Sequence, residues 1–428
     1  MTALSERDHD ERRIGQWDTL ALGVNGVIGS GIFFLPSVGD KLLGPAALIA
    51  TFVAGVLAWL IASSFGSVSA QYTRNGGAYV YTKDAFGRGP GFVVGWMTWI
   101  VAVTSWGALL NALFLALGGL WGRFEEPVVK SLGMGLLVVF LVGVNVRGLK
   151  VGAGLSTLLT LLKASPLILL ALVGIPSVEL SHFNSFAPQG WGGFADATLL
   201  ILYAYVGFES LVVPASEIRD VRSTLPSILP KLLIGVTVLY LILQIVCIGT
   251  LTDLSSRANP IADSAKYVLG DVVGMAFLWV SVVSVLGVNA GTALVTPRRL
   301  AALADEGDAP KILGHLHRRF RTPAIAIALT GAAALAFALS GSFKELALLS
   351  VVARFVQYLP TCWVAFRSMP AGKALTEVGT RIKAGLAILT SGALLVAADS
   401  EKLIAGLVGI ALLSLVYVFL KKSRAYSR

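Results

Sequence analysis

Charge is scarce in this chain. Asp, Glu, Lys and Arg make up 14% of its 428 residues, against about a quarter in an ordinary soluble domain. With 56% hydrophobic residues and a mean hydropathy of +0.79, that shortage excludes a water-soluble domain with one buried core. Cysteine is nearly absent. Cys247 and Cys362 both lie in apolar stretches, offer neither a disulfide framework nor a metal cluster, and read as small apolar filler. Histidine is as rare: His9, His182, His315 and His317 all fall between the apolar stretches. No His-x-x-x-His and no Gly-x-Ser-x-Gly occurs, so neither a metalloenzyme nor a hydrolase is legible and no cofactor is implied. A Gly-x-x-x-x-Gly-Lys phosphate loop is missing too, which argues against a nucleotide-driven pump built from this chain alone. Met1 to Arg13 are polar and charged, without the short apolar core of a cleaved signal peptide.

What the sequence has is long apolar runs. They fall at 16–39, 45–70, 91–119, 128–146, 153–175, 193–218, 227–250, 270–296, 323–340, 345–366, 383–398 and 402–420. Each is near the roughly 20 residues that cross a bilayer. The fold class expected is therefore an all-α integral membrane protein of twelve spans in the cytoplasmic (inner) membrane. A formal charge of +10 invites a nucleic-acid partner, but its placement argues against one. The basic residues gather in alternate loops: 71–90 with Arg74, Lys83 and Arg88; 147–152 with Arg147 and Lys150; 219–226 with Arg219 and Arg222; 297–322 with Arg298, Arg299, Lys311, Arg318, Arg319 and Arg321; and 367–382 with Arg367, Lys373 and Arg381. The opposite loops hold few, chiefly Arg123, Arg257 and Lys266. Positive charge is retained on the cytoplasmic side, so both termini are expected there. No partner subunit is implied; the bilayer is the partner.

Two spans are broken. The first contains Gly26-Val27-Ile28-Gly29-Ser30-Gly31-Ile32-Phe33-Phe34-Leu35-Pro36, poor material for a rigid helix. The sixth contains Tyr203-Ala204-Tyr205-Val206-Gly207-Phe208-Glu209-Ser210 at matching depth. Backbone freed at a break is tolerated in a membrane only where protein or a water-filled cavity covers it. Free amides there suit an anion and free carbonyls a cation. Two breaks five spans apart are what a five-plus-five inverted repeat produces; glycines that merely permit close helix packing are the plainer alternative.

At these residues the chain resembles the amino acid–polyamine–organocation (APC) superfamily of transporters. The resemblance rests on Ile28-Gly29-Ser30-Gly31-Ile32-Phe33 through Pro36, and on Tyr205-Val206-Gly207-Phe208-Glu209 followed by Glu217, Ile218, Arg219, Asp220 and Pro226. It rests also on Asn75-Gly76-Gly77-Ala78-Tyr79-Val80-Tyr81, and on Arg298 through Ala304-Asp305-Glu306-Gly307 to Thr322-Pro323. It implies the LeuT-like fold: repeats over about 16–175 and 193–366 form a core over 16–366, helices 11 and 12 follow over 367–420, and short tails cover 1–15 and 421–428. It further implies a substrate carboxylate on the amides of Ser30 and Gly31. The substrate amino group would meet carbonyls of Val27 and Ile28 and of the Tyr205–Val206 region.

Three ionisable residues lie deep in spans. Lys163 is about 15 Å in at 1.5 Å per residue, where a spectator charge is costly. The resemblance places it at the sodium position of sodium-coupled relatives. There its ammonium would bridge the first break near Gly29 and a hydroxyl such as Ser284, either exchanging a proton or acting as a permanent clamp. Glu209 follows the second break directly, as a proton carrier, a gate or a tie for freed amides. Arg354 in the tenth span is its possible mate, or faces an outer vestibule. Among Tyr203, Tyr205, Trp99, Trp106 and Phe208, only Tyr203 matches an aromatic gate position; Ser105 is a candidate for the side-chain pocket. The function expected is a secondary active transporter of L-amino acids, sodium-independent and proton-coupled, with alternating access between helices 1, 3, 6 and 8. An amino acid or amine exchanger of the same fold is the alternative; a membrane enzyme or solute sensor is the different-class alternative. Small, mostly uncharged residues in spans 3, 6 and 8 favour a neutral side chain.

Overall fold

A computed structural model describes residues 15–73, 75–147, 153–213, 215, 218–367, 374–397 and 400–426. The expected amino-terminal tail, Arg74, Lys150, Glu217, Lys373 and the last two residues lie outside the described residues.

The first span breaks where its glycines are. Helix α1 (Gln16–Val27) stops at Ile28, whose N–H makes its last helical bond, to Val24 O; Gly29 and Ser30 follow as an interruption, and α2 (Gly31–Leu43) resumes. Pro36, grouped with the break in the sequence, sits inside α2. Then come α3 (Ala47–Ser69), α4 (Ala78–Phe86), α5 (Arg88–Leu120), α6 (Pro127–Val146) and α7 (Ala153–Gly174). The sixth span begins as α8 (Phe194–Leu202). It gives way to two 3-10 turns, Tyr203–Tyr205 and Phe208–Ser210, on either side of Gly207. The rest are α9 (Val221–Thr250), α10 (Pro260–Leu269), α11 (Asp271–Asp305), α12 (Ala324–Ser340), α13 (Phe343–Arg367), α14 (Ala374–Ala397) and α15 (Ser400–Tyr426). Each expected span overlaps one or more of these helices, the sixth as α-helix only over Phe194–Leu202. Several loop boundaries are corrected: α4 holds Lys83, α5 begins at Arg88, α9 begins at Val221, α11 runs past Thr296 to Asp305 and α14 begins at Ala374, so Lys83, Arg88, Arg222, Arg298, Arg299 and Arg381 are helical rather than in loops.

Among the described residues, eight helices are long and apolar enough to cross a membrane. Three shorter apolar ones join them: Phe194–Tyr205, Ala324–Ser340 and Gly406–Phe419. Helix α6 makes the physical case. Val128, Leu132, Leu136 and Val139 form a stripe at helical spacing, each about two-thirds or more exposed. A contiguous apolar face of that kind is untenable in water, and lipid is the solvent that covers it. The chain is a multi-pass membrane protein.

The innermost helices are those with small residues on their contact faces. Ala47, Ala50, Ala54, Ala58 and Ala62 of α3 are fully buried. A side chain at Gly66 would come within 3.0 Å of the Pro226 backbone on α9, so the two helices approach closely there. Helix α5 packs against both α11 and α13.

A local pattern recurs. The short helix α4 ends at Gly87 (φ 90°, ψ 178°), where the long α5 starts; the short α10 ends at Gly270 (φ 88°, ψ 173°), where the long α11 starts. Behind each corner a glycine lets the long helix pass the short one. A Cβ at Gly91 would meet Lys83 at 2.7 Å, and one at Gly274 would meet Lys266 at 2.6 Å.

Candidate functional site

The two breaks touch. Gly207 has φ 116°, and a side chain there would sit 2.4 Å from the carbonyl oxygen of Gly26. Only glycine combines that backbone with that approach. Beside this contact lies a cavity of about 230 Å³, just below the roughly 300–1,000 Å³ of sites for drug-sized ligands. Its wall runs from Ser30 and Tyr203 to Thr19, Ile218 and Thr296. Behind Tyr203 on its wall, aromatic rings pack together: Phe343 lies edge-on to Tyr203 at 5.6 Å and to Phe34 at 5.7 Å.

Val27, Gly29, Ser30, Gly31, Ser105, Tyr203, Val206, Glu209 and Arg354 all line this cavity. As the N-cap and first residue of α2, Ser30 and Gly31 present amides that have no intrahelical partner. The macrodipole of α2 favours an anion there. Packing demands a glycine at 31. A Cβ would stand 2.6 Å from both Cα and Cβ of Ala204, so Gly31 is small because the sixth span presses against it.

Ile28, Tyr205, Lys163 and Ser284 are not on the cavity wall. The Lys163 ammonium is 1% exposed and donates to the carbonyl oxygens of Asn25 at 2.7 Å and Ile28 at 2.6 Å. The ammonium thus meets the first break at Ile28, the residue before Gly29, and at Asn25 in the last turn of α1. Ser284 Oγ donates to the same Ile28 oxygen at 3.4 Å rather than meeting the ammonium. The Ile28 carbonyl, expected at the substrate amino group, thus accepts from Lys163 and Ser284. Tyr240, which the sequence did not single out, covers the remaining end of the break, donating to Ala204 O at 3.1 Å and Val27 O at 3.3 Å. Tyr205 turns away, its hydroxyl on Thr51 O at 3.1 Å. Trp99 bonds Thr330, Trp106 is buried beside α12, and Phe208 lies edge-on to Phe65. Of the five aromatic candidates, only Tyr203 faces the cavity.

Glu209 and Arg354 pair directly, the guanidinium Nη1 donating to Oε1 of the carboxylate. The other carboxylate oxygen accepts from the backbone N–H of Gly207 at 2.9 Å and from the Tyr358 hydroxyl at 3.3 Å. Arg354 Nη2 donates to Ser105 Oγ at 2.5 Å. One buried carboxylate therefore ties the second break to α13, and the guanidinium carries the tie on to α5. The sequence left Tyr358, Gln357 and Arg299 without roles. The first two follow Arg354 by four and three residues, the spacing that puts them on one helix face with it.

A second polar cluster joins the two loop motifs. Asp308, 3% exposed, accepts from the Tyr79 hydroxyl at 2.7 Å and from Arg88 Nε at 2.8 Å. Its backbone carbonyl accepts from Trp96 at 3.0 Å, and Lys83 bonds Glu306 at 2.5 Å. Burial first, and then the Asp308 carboxylate, raise the Tyr79 phenol well above its ordinary value, so it remains a donor.

Comparison with known proteins agrees with this architecture. A family model described as amino acid permease matches residues 14–420. An uncharacterised transporter of Mycobacterium tuberculosis (strain ATCC 25618 / H37Rv) is 31% identical over 392 residues, covering 82% of this chain and 79% of its own. The serine/threonine exchanger SteT of Bacillus subtilis (strain 168) is 27% identical, covering 83% of each chain. The branched-chain amino acid permease BcaP of Lactococcus lactis subsp. cremoris (strain MG1363) is 29% identical, covering 71% of this chain and 70% of its own.

Proposed function

The chain belongs to the amino acid permease family, and from that premise we propose a secondary active transporter of amino acids, independent of sodium and driven by protons. Alternating access takes place around the cavity beside the paired breaks. The two halves, about 16–175 and 193–366, form an inverted repeat; the matching corners at Gly87 and Gly270 and the paired breaks support it. With both termini in the cytoplasm, the cavity wall leads from the bilayer midplane to the inner side, and the Tyr203–Phe343–Phe34 rings close the outer side. That is an inward-facing arrangement.

The observation that carries the coupling is the Lys163 ammonium on the last carbonyls of α1. A cation at a helix C-terminus is favourable, and this one holds the place a metal cation would need. Protonated, Lys163 satisfies the carbonyls of Asn25 and Ile28 and joins α1 to α7; deprotonated, it releases them. The zwitterionic part of the substrate binds at Ser30 and Gly31 through its carboxylate and near Val27 and Val206 through its amino group. Lys163 does not touch it.

Uptake into proteoliposomes tests this. Replacing sodium by choline should leave the rate unchanged, and an inward proton gradient should drive accumulation into empty vesicles. Lys163→Ala should abolish accumulation while substrate still binds. Sodium-stimulated uptake, or a Lys163→Ala protein that concentrates substrate normally, would sink the proposal. The second reading is an exchanger, favoured by the likeness to SteT: uptake only into vesicles preloaded with amino acid selects it.

A further inference from the structure

The lean towards a neutral substrate side chain drew on spans 3, 6 and 8. Helix α13 adds a wall that the reading did not include. Arg354 and Gln357, three residues apart, both line the cavity and are 7% and 3% exposed. Arg354 uses Nη1 on Glu209 and Nη2 on Ser105, yet its Nε is buried with no partner. Gln357 Nε2 is likewise buried with no partner. From α11, Arg299 lines the same cavity; its Nη2 reaches Ser210 Oγ at 3.3 Å while its Nε has none.

The carboxylate of the wall is, by contrast, used up, although the Ser30 hydroxyl on the same wall is also buried with no partner. Both oxygens of Glu209 are engaged, by Arg354 on one side and by Gly207 and Tyr358 on the other. Among the Asp, Glu, Lys and Arg residues of the wall, two guanidinium groups stand against one carboxylate. Buried polar groups in folded proteins are nearly always bonded, and a cluster of orphaned donors needs an explanation. In a cavity built to hold a solute, the missing acceptor is the solute's own oxygen.

We propose that this cavity selects amino acids whose side chain ends in an accepting oxygen (hydroxyl, carboxamide or carboxylate), seated against Arg354 and Gln357. The inference rests on the amino acid reading of the site and names the substrate class within it. The α-carboxylate stays at the Ser30–Gly31 break, and the side chain extends to α13. A site that hydrogen-bonds a substrate oxygen rejects the analogue lacking it far more strongly than an apolar pocket rejects a mere size change.

Matched pairs test the idea on the purified full-length protein in detergent, by thermal-shift titration: threonine against valine, asparagine against leucine, and glutamine and glutamate against methionine. In the pair that binds most tightly, the oxygen-bearing member should bind about tenfold more tightly or better, the span expected of a hydrogen bond to a charged donor. Gln357→Met should shrink that ratio towards unity. Aspartate against asparagine and glutamate against glutamine identify the preferred oxygen, and either order supports the class. Equal or tighter binding of the apolar member of the best pair in the wild-type protein overturns the proposal, whether or not the variant folds. Failure of every amino acid to bind would instead strike the amino acid reading itself.

Discussion

A Cβ added at Gly31 would stand 2.6 Å from the backbone of Ala204, whereas one at Gly29 would meet nothing nearer than Val288 at 3.7 Å. The two glycines, both on the cavity wall, should therefore answer differently to one methyl group. Gly31→Ala is expected to destabilise by about 1–3 kcal/mol through overpacking. Gly29→Ala should stay within about 0.5 kcal/mol, so that any loss of binding reports on ligand approach. Thermal unfolding in detergent, with and without substrate, separates the two; equal melting temperatures would refute the packing argument. The Glu209–Arg354 pair calls for a cycle rather than a single change. Glu209→Gln leaves a buried guanidinium without its counter-charge and should cost about 3–5 kcal/mol, as should Arg354→Gln. The double variant should lose less than the sum of the two. Strict additivity would mean that the contact contributes nothing.

At the scale of elements, the contact between α4 and the turn after α11 is made by side chains from both loop motifs. Asp308 is its hub, buried between Tyr79, Arg88 and Trp96. Because Arg88 and Lys83 are partly exposed, their charges are screened and the contact is discounted accordingly. Asp308→Ala should lower stability by about 1–3 kcal/mol and speed proteolytic cleavage in residues 306–322. Unchanged cleavage would show that the cluster does not hold the turn. Tyr79→Phe should cost about 1 kcal/mol. The raised phenol value sets the sign with pH: the stabilisation is complete below the free phenol's value of about 10 and fades only above it. The difference between wild type and Tyr79→Phe should therefore be flat from pH 6 to pH 9 on the order-of-magnitude scale of that reference value. A slope in that range would mean that another group titrates.

For the molecule as a whole, sidedness is the property on which the transport direction depends. Reporter fusions after residues 80, 310 and 428 should all report the cytoplasm, because basic loops are retained there. A periplasmic signal at 310 would overturn both the orientation and the inward-facing assignment of the cavity. The proposed sodium independence and proton drive are tested at this scale as well, since the Lys163 contact joins α1 to α7.

Composition and period determined much of this protein without help. Apolar runs of membrane-crossing length leave only helices as a spanning structure, and the glycines at 26, 29, 31 and 207 mark where two of them stop. Lys163, Glu209 and Arg354 were legible as special because a charge deep in an apolar run is expensive. Tertiary structure alone decided whom each one meets. The sequence carries no signal that Lys163 would reach Asn25 and Ile28 past Gly29, that Gly31 is small for Ala204, or that Tyr79 and Asp308 share a proton donor and acceptor across two motifs. It likewise could not say that α13, rather than spans 3, 6 and 8 alone, would wall the cavity with unpaired donors. The physical reason is range. Helix formation and hydropathy are local or periodic along the chain, whereas these contacts join residues more than a hundred positions apart, fixed only once the helices have packed.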